Sequence, residues 1–353
     1  MALARLVFTP YDTSTEEGAR KLFMEYPHKN YQLQNMGISK ENMAAYLENT
    51  LREPGMQTIC LRDNGSLVGL VALQFLPWMS EHFGMRMYAV RHLLARSDNP
   101  LVSTRLLRFV IEELVDVDFL DCRVAVDDIH SAHALEVCGF RYVGTEIFLG
   151  QNLKSTPEAG VPDVVEVCPC QGHDQEEVLN IVEETHVHNR FVYDPLITER
   201  AARSLFRRLV QKCFDQPQFQ VLVAKMLDRV HGFLVSKRNN GFHKAVGVKT
   251  GSLDFIGVRP DMRKSGIGAA LNRVALQEMV RDRVTYVGVR TLANNYPALR
   301  NCLTTGFSVT SSSLHFHRWV RRPRPALRKK FSDASGDLFR SGGGETAVRW
   351  VAG

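Results

Sequence analysis

The stretch with the clearest capacity for chemistry is Arg263-Lys264-Ser265-Gly266-Ile267-Gly268. An apolar run from Leu253 to Val258, broken by Asp254, precedes it and reads as a buried strand that Pro260-Asp261 ends. After the loop, Ile267, Leu271, Val274 and Ala275 fall on one helical face. Strand, glycine-bearing turn and helix N-terminus make a phosphate cradle. Backbone N–H groups without helical partners and the positive end of the helix dipole converge on one point. Glycine lets the backbone approach the ligand closely. The spacing is neither the dinucleotide pattern G-x-G-x-x-G nor the P-loop pattern G-x-x-x-x-G-K-[ST].

The elements that must hold this loop recur along the chain. An apolar hairpin turns at Asp63-Asn64-Gly65, and a second turns at Leu227-Asp228-Arg229. Gly69 of the first hairpin is followed by Gly139-Phe140, and Gly232 of the second by Gly306-Phe307, at nearly equal separations. Two copies of one α+β unit account for this. Residues 151–163, rich in Asn, Ser, Thr, Pro and Gly, read as the linker between them. The expected division is 1–150, linker 151–163, 164–320 and a basic tail 321–353.

In the second copy the loop is followed by Asn295-x-x-Ala298-x-x-x-Cys302-x-x-x-Gly306-Phe307. Arg263-x-x-Gly266-x-Gly268 resembles the R/Q-x-x-G-x-G/A pyrophosphate loop of the GNAT acyltransferase superfamily, and the later segment resembles its N-x-x-A-x-x-x-Y-x-x-x-G-F signature. The resemblance covers residues 164–320. It implies tandem GNAT-like domains of mixed, mostly antiparallel sheet flanked by helices, and acetyl-CoA as the cofactor. It assigns the pyrophosphate to Arg263, Lys264, Ser265, Gly266, Ile267 and Gly268. The pantetheine arm goes to Ile256, Gly257 and Val258 on the fourth strand, with Asn295 and Ala298 beside it. The first copy has Asp128, Ser131 and Leu135 at the signature spacing and no R-x-x-G-x-G, so it is expected not to bind CoA.

Trp78-Met79-Ser80-Glu81-His82-Phe83-Gly84 resembles the W-D-S-x-F-F-G stretch of GNATs of the dTDP-fucosamine acetyltransferase type, and residues 188–195 resemble that group's acceptor-side segment. The likeness implies a nucleotide-linked 4-amino sugar as acceptor. Met79 stands where that group has aspartate, and Cys302 where many GNATs have a tyrosine acid. A peptide amine, a natural-product amine and a non-catalytic acyl-CoA binder are the other readings.

Acyl transfer to an amine requires a proton acceptor, a positioned amine and a donor for the developing oxyanion. Asp254 is the catalytic candidate for the base, with His186 and His188 as others. Cys302 is the positional candidate for the acid, or it only lines the channel. No spacing supports a covalent acyl-enzyme.

Composition narrows the classes. Apolar residues make up 44% of the 353-residue chain and charged residues 23%, the balance of a globular protein. No apolar run approaches a bilayer span, so no membrane partner is expected. Seven cysteines without repeated spacing point to reduced thiols and a cytoplasmic location, with no metal site. Of the net charge of +6, residues 321–353 contribute eight Lys/Arg and three Asp/Glu, so the excess is not a nucleic-acid footprint on a folded face. The expected partner is a small-molecule amine, and a homodimer is left open.

Overall fold

Asn64 and Gly65 take φ values of 48° and 83°, and Leu227 and Asp228 take 49° and 60°. Two successive left-handed residues are what a two-residue hairpin turn requires, so both hairpins close the same way. Around them the computed structural model describes residues 6–26, 36–96, 101–113, 116–153, 165–185 and 189–321.

The first half runs β1 (Leu6–Pro10), α1 (Glu16–Glu25), α2 (Lys40–Thr50), β2 (Met56–Asp63), β3 (Ser66–Phe75), α3 (Pro77–Phe83), β4 (Met87–Ala95), α4 (Leu101–Glu113), β5 (Phe119–Ala125), α5 (Ile129–Val137) and β6 (Arg141–Asn152). The second half repeats this order: β7 (Glu166–Pro169), α6 (Gln175–Thr185), α7 (Glu199–Cys213), β8 (Phe219–Met226), β9 (Arg229–Arg238), α8 (Asn240–Val246), β10 (Thr250–Val258), α9 (Ile267–Arg281), β11 (Tyr286–Leu292), α10 (Tyr296–Thr304) and β12 (Ser308–Trp319). The repeat extends to contacts. A Cβ on Gly69 would meet Val102 of α4 at 2.4 Å, and one on Gly232 would meet Ile267 of α9 at 2.8 Å. Both glycines let a helix close onto the hairpin. Asp128 caps α5 by accepting from Ser131 N, and Asn295 caps α10 by accepting from Ala298 N.

The halves do not form separate sheets. Twelve strands make one sheet in the order β1-β2-β3-β4-β5-β12-β6-β11-β10-β9-β8-β7. Each half hands its last strand to the other: β12 pairs with β5, and β6 pairs with β11. The sequence could not show this, because alternation within a strand does not name its neighbour. β6 runs through Asn152, past residue 150 and into the stretch read as linker, while residues 154–164 lie outside the described part, as do His186, His188 and 322–353. Helix α6 follows a short turn at Gly172–Asp174. The strand β4 and the helices α3, α7 and α8 were not anticipated.

Two of those helices reach across. In α3, Pro77 sits at the first turn and Gly84 closes the end at φ 66°. Its Trp78 and Phe83 pack with Phe191, Leu205 and Leu209 of the second half. In return α8 lays Phe242 against Tyr46 of α2, with ring centroids 5.0 Å apart. Among the described residues no helix is long and apolar enough to cross a membrane.

Candidate active site

β10 and β11 pair in parallel only from Thr250–Leu253 against Tyr286–Val289, and beyond that they separate. The edge of β10 that faces β11 beyond Leu253 therefore has no strand partner. Asp254 occupies the point of separation, in a register irregularity between β9 and β10. A bulge re-aims a side chain, and here it turns Asp254 toward the gap.

At the far end of β10, Ser265 Oγ donates to Met262 O at 2.6 Å and folds the turn back on itself. Lys264 and Gly266 take φ of 66° and 88°. The first α9 backbone bond runs from Ala270 N to Gly266 O, which leaves the N–H groups of Ile267, Gly268 and Ala269 ahead of the helical ladder. Arg263 and Lys264 stand exposed beside them. Asn301 of α10 donates to Gly268 O at 3.3 Å, and a Cβ on Gly268 would come within 3.3 Å of that side chain. The two signature segments thus hold one another. This loop fits a pyrophosphate: donors, dipole and cations gather at one open spot.

Loop and gap open into a single cavity of about 2190 Å³. Small-molecule sites usually occupy about 300–1,000 Å³, so this one has room for a long ligand and a second molecule. Ile256, Gly257, Val258, Arg263, Lys264, Gly266, Ile267, Gly268, Asn295, Ala298, Asp254 and Cys302 all line it. Ser265 is absent from the lining, its hydroxyl being spent on Met262. Asn295 is engaged as a helix cap and donates to Thr291 Oγ1 at 3.0 Å.

The cavity continues onto a charged floor laid across the exchanged strands. Glu146 of β6 lies 3.2 Å from Arg123 of β5, 3.9 Å from Arg290 of β11 and 3.5 Å from His315 of β12. Arg123 and Arg290 stand over the Phe148 ring at 5.8 and 5.1 Å. Arg190 Nη2 donates to Asp121 at 2.7 Å, and His317 Nδ1 lies 2.7 Å from Asp194. The wall draws on both halves too, because Trp78 and Met79 of α3 border the space. Lys212 Nζ sits 4.4 Å from the Trp78 ring.

Burial sets the protonation of these groups. Burial pushes Asp254 up, and Ser252, Lys237 and Arg290 offset it only in part. Its Oδ2 is buried without a hydrogen-bond partner among the described residues. Burial pushes Glu146 up as well, but Arg123 and His315 outweigh it and hold it well below the ordinary carboxylate range. Asp121 is held down in the same way by Arg190 and His317. Burial alone lifts the Cys302 thiol to about 12.

A stability prediction follows from the floor. Removing one partner of a buried ion cluster leaves the others uncompensated. Glu146→Ala is expected to destabilise the protein by about 3–5 kcal/mol, measured by urea unfolding. The stabilisation from Glu146 and Asp121 is complete above the ordinary carboxylate pKa of about 4 and is lost as the pH falls below it toward the depressed folded values. The variant should therefore lose part of that acid limb.

The first half has the same frame with the site filled. In its own register irregularity, between β3 and β4, stands Arg91 where the second half has Asp254. Leu135 stands where the second half has Cys302, and it is buried in one core with Leu93 and Val124. The sequence reading missed Arg91, Asp121, Arg123, Glu146, Arg290 and His315. A signal existed: Leu120-Asp121-Cys122-Arg123-Val124 alternates charge with apolar residues, as a strand with one polar face does.

Residues 182–307 match the model of the Acetyltransferase (GNAT) family. Over 291 residues the chain is 23% identical to the spore coat polysaccharide biosynthesis protein SpsD of Bacillus subtilis (strain 168), covering 80% of this chain and 96% of that protein. Among solved structures it is similar to a GCN5-related N-acetyltransferase from Sphaerobacter thermophilus, with a TM-score of 0.62 and 15% identity over 91% of this chain and 98% of that one. A tandem GNAT protein from the clavulanic acid biosynthesis pathway gives a TM-score of 0.53 and 14% identity over 91% and 100% of the two chains. At such identities these two structures speak to the fold alone, which is that of tandem GNAT-like units.

Proposed function

We propose that this chain, which carries a GNAT acetyltransferase domain over residues 182–307, moves an acetyl group from acetyl-CoA to the amine of a nucleotide-linked amino sugar. The observation that carries the reading is the single cavity. It joins the phosphate-type loop, the gap between β10 and β11, Asp254 and a polar floor large enough for a second molecule. A sugar acceptor is supported by the relative of 23% identity named for polysaccharide biosynthesis. Polar atoms on the wall support it too: Trp78 Nε1, Asn189 Nδ2, Arg190 Nε and Asp254 Oδ2 are buried without hydrogen-bond partners among the described residues. Such atoms cost about 1–3 kcal/mol each, which a hydroxylated ligand would offset.

Bound acetyl-CoA would supply a thioester carbonyl open to attack by an amine. Arg263, Lys264 and the N–H groups of Gly266 to Ala269 hold its pyrophosphate, and the unpaired edge of β10 at Ile256, Gly257 and Val258 holds its arm. Asp254 takes the proton from the acceptor amine. Its raised pKa makes it a better base than an ordinary carboxylate. N–H groups on the free edge of β10 face the charge that develops on the acyl oxygen. The donor-binding unit is residues 164–320, and residues 1–150 supply part of the acceptor wall, with Trp78 and Met79 facing Asn189 and Arg190 of the second half across one cavity lining.

Cys302 lines the donor channel and does not supply the proton. With the thiol raised to about 12, donation to a leaving thiolate of ordinary pKa is uphill by on the order of 5 kcal/mol. Cys302→Ala should keep kcat within about threefold, read in a steady-state assay. A loss beyond tenfold would restore it as the acid. The function itself is tested by thiol release from acetyl-CoA against a panel of a nucleotide-linked 4-amino sugar, a peptide amine and an aliphatic diamine. Turnover confined to the sugar is expected. Turnover on the peptide or diamine instead would displace the acceptor, and tight CoA binding without any turnover would leave a binding protein.

A further inference from the structure

The last parallel pair between β10 and β11 is Leu253 with Val289, so the first residues past it are Asp254 on one strand and Arg290 on the other. A carboxylate and a guanidinium therefore stand on opposite lips of the gap. The corresponding point in the first half follows Val90 and Cys122, where both lips are arginine, Arg91 and Arg123. On the other side of β10, Lys237 of β9 pairs with Ser252. Lys237 is 5% exposed, and its Nζ lies 5.4 Å from the centre of the Phe219 ring. Arg290 is held from β6. Phe148 faces it in the ladder, and Glu146, two residues along the same strand, lies 3.9 Å away. Glu146 lies in turn 3.2 Å from Arg123. Charges of alternating sign thus cross the sheet: Lys237 on β9, Asp254 on β10, Arg290 on β11, Glu146 on β6 and Arg123 on β5.

We infer that Lys237 and Arg290, one on each strand flanking β10, are positioning residues that keep the buried Asp254 ionised, and that Glu146, from the last strand of the first half, governs how strongly Arg290 does so. This rests on reading Asp254 as the base that takes the amine proton. A protonated base takes nothing, and burial favours the protonated form. Cations beside the carboxylate oppose burial without occupying the oxygen that must accept the proton, and Asp254 Oδ2 has no hydrogen-bond partner among the described residues. Lys237 and Arg290 both act downward on Asp254 against its burial, Lys237 more strongly. Two further groups face Asp254. The Ser252 hydroxyl acts in the same sense, and the Cys213 thiol of α7 is pushed up to about 12 by burial and stays neutral. Arg290 faces Arg123, Glu146, Asp254 and Arg91, and burial pulls it down to about 9, so it is still charged at neutral pH. Glu146 also faces His315 at 3.5 Å. Through Arg290 the first half acts on the base of the second.

The test uses the full chain saturated with CoA and isotopically labelled at the aspartate carboxyl carbons. NMR follows the Asp254 resonance, identified by its loss in Asp254→Asn, as the pH is scanned. Arg290→Gln and Lys237→Met should each move the titration midpoint up by about half a pH unit or more, Lys237→Met further. Arg290→Lys should leave it near the parent value. Glu146→Gln should move it down, because Glu146 no longer offsets Arg290. Unchanged CoA affinity reports that each variant is folded. A midpoint that stays put in Arg290→Gln or in Lys237→Met, or that fails to fall in Glu146→Gln, overturns the inference. With a nucleotide-linked 4-amino sugar as acceptor, the acid limb of kcat should move with the midpoint, and activity that Arg290→Gln loses at low pH should return as the pH rises. A merely structural role would lower activity evenly across the pH range. Midpoints that move as stated, in a protein that turns over no amine or whose acid limb stays fixed, would keep the charge relation and overturn the reading of Asp254 as the base.

Discussion

Gly266→Val is expected to lower the affinity for acetyl-CoA by roughly 100-fold or more, the equivalent of losing about 3 kcal/mol of charge-assisted hydrogen bonding. Two effects act together. Gly266 holds φ 88°, a region β-branched residues avoid, so valine forces the turn to shift. It also forms the N-cap of α9, where an added side chain would stand in front of the free N–H groups of Ile267 and Gly268. The variant should also melt several degrees lower, since the strained position costs about 1–3 kcal/mol. Fluorescence or calorimetric titration with CoA reads the affinity directly. An unchanged dissociation constant would remove the loop from the donor site.

Asp254→Asn should reduce kcat by roughly 10²–10⁴-fold, the usual worth of a positioned general base, while the dissociation constant for CoA stays within a factor of two or three. The pH profile carries the sign. Asp254 accepts a proton only when ionised, and burial raises its pKa above the ordinary carboxylate value. Activity should therefore fall as the pH drops through that raised value, earlier than for an exposed aspartate, and the residual activity of the variant should lack this limb. Stability moves the other way. Between the ordinary pKa and the raised one the folded state binds more protons than the unfolded state, so ionising Asp254 costs stability as the pH rises. Asparagine removes that cost, and the variant should melt higher than the parent at neutral pH. A more stable, nearly inactive protein is the signature of a carboxylate kept for chemistry. Loss of both stability and CoA binding would mark Asp254 as a structural group.

Much of the candidate donor site was legible because its local requirements are short-range. A left-handed residue at a helix entry calls for glycine, and Gly266 supplies it at φ 88°. A helix cap calls for a short acceptor, and Asn295 and Asp128 supply it at matching places in the two halves. Asp254 was visible as a charge within an apolar strand. The acceptor end was not legible, for the opposite reason. Asp121, Glu146, Arg290 and His315 meet only because β12 inserts between β5 and β6, and nothing within any one strand encodes that neighbour. Helix α3 could have been read, since Pro77 opens it and Gly84 closes it at φ 66°. Its place over the second half could not, because Trp78 and Phe83 suit any apolar contact. The resemblance singled out the Trp78 segment without the topology that brings it to the cavity wall.

On the proposed function, the two copies of one unit form one donor site and one shared acceptor cavity. Leu93, Val124 and Leu135 fill the first half where the second half is open, and Arg91 replaces the acid. Calorimetric titration of the full chain with acetyl-CoA tests this most directly. One equivalent per chain, weakened roughly 100-fold or more by Gly266→Val, is the predicted result. Two equivalents, or one equivalent whose affinity the substitution leaves unchanged, would contradict it.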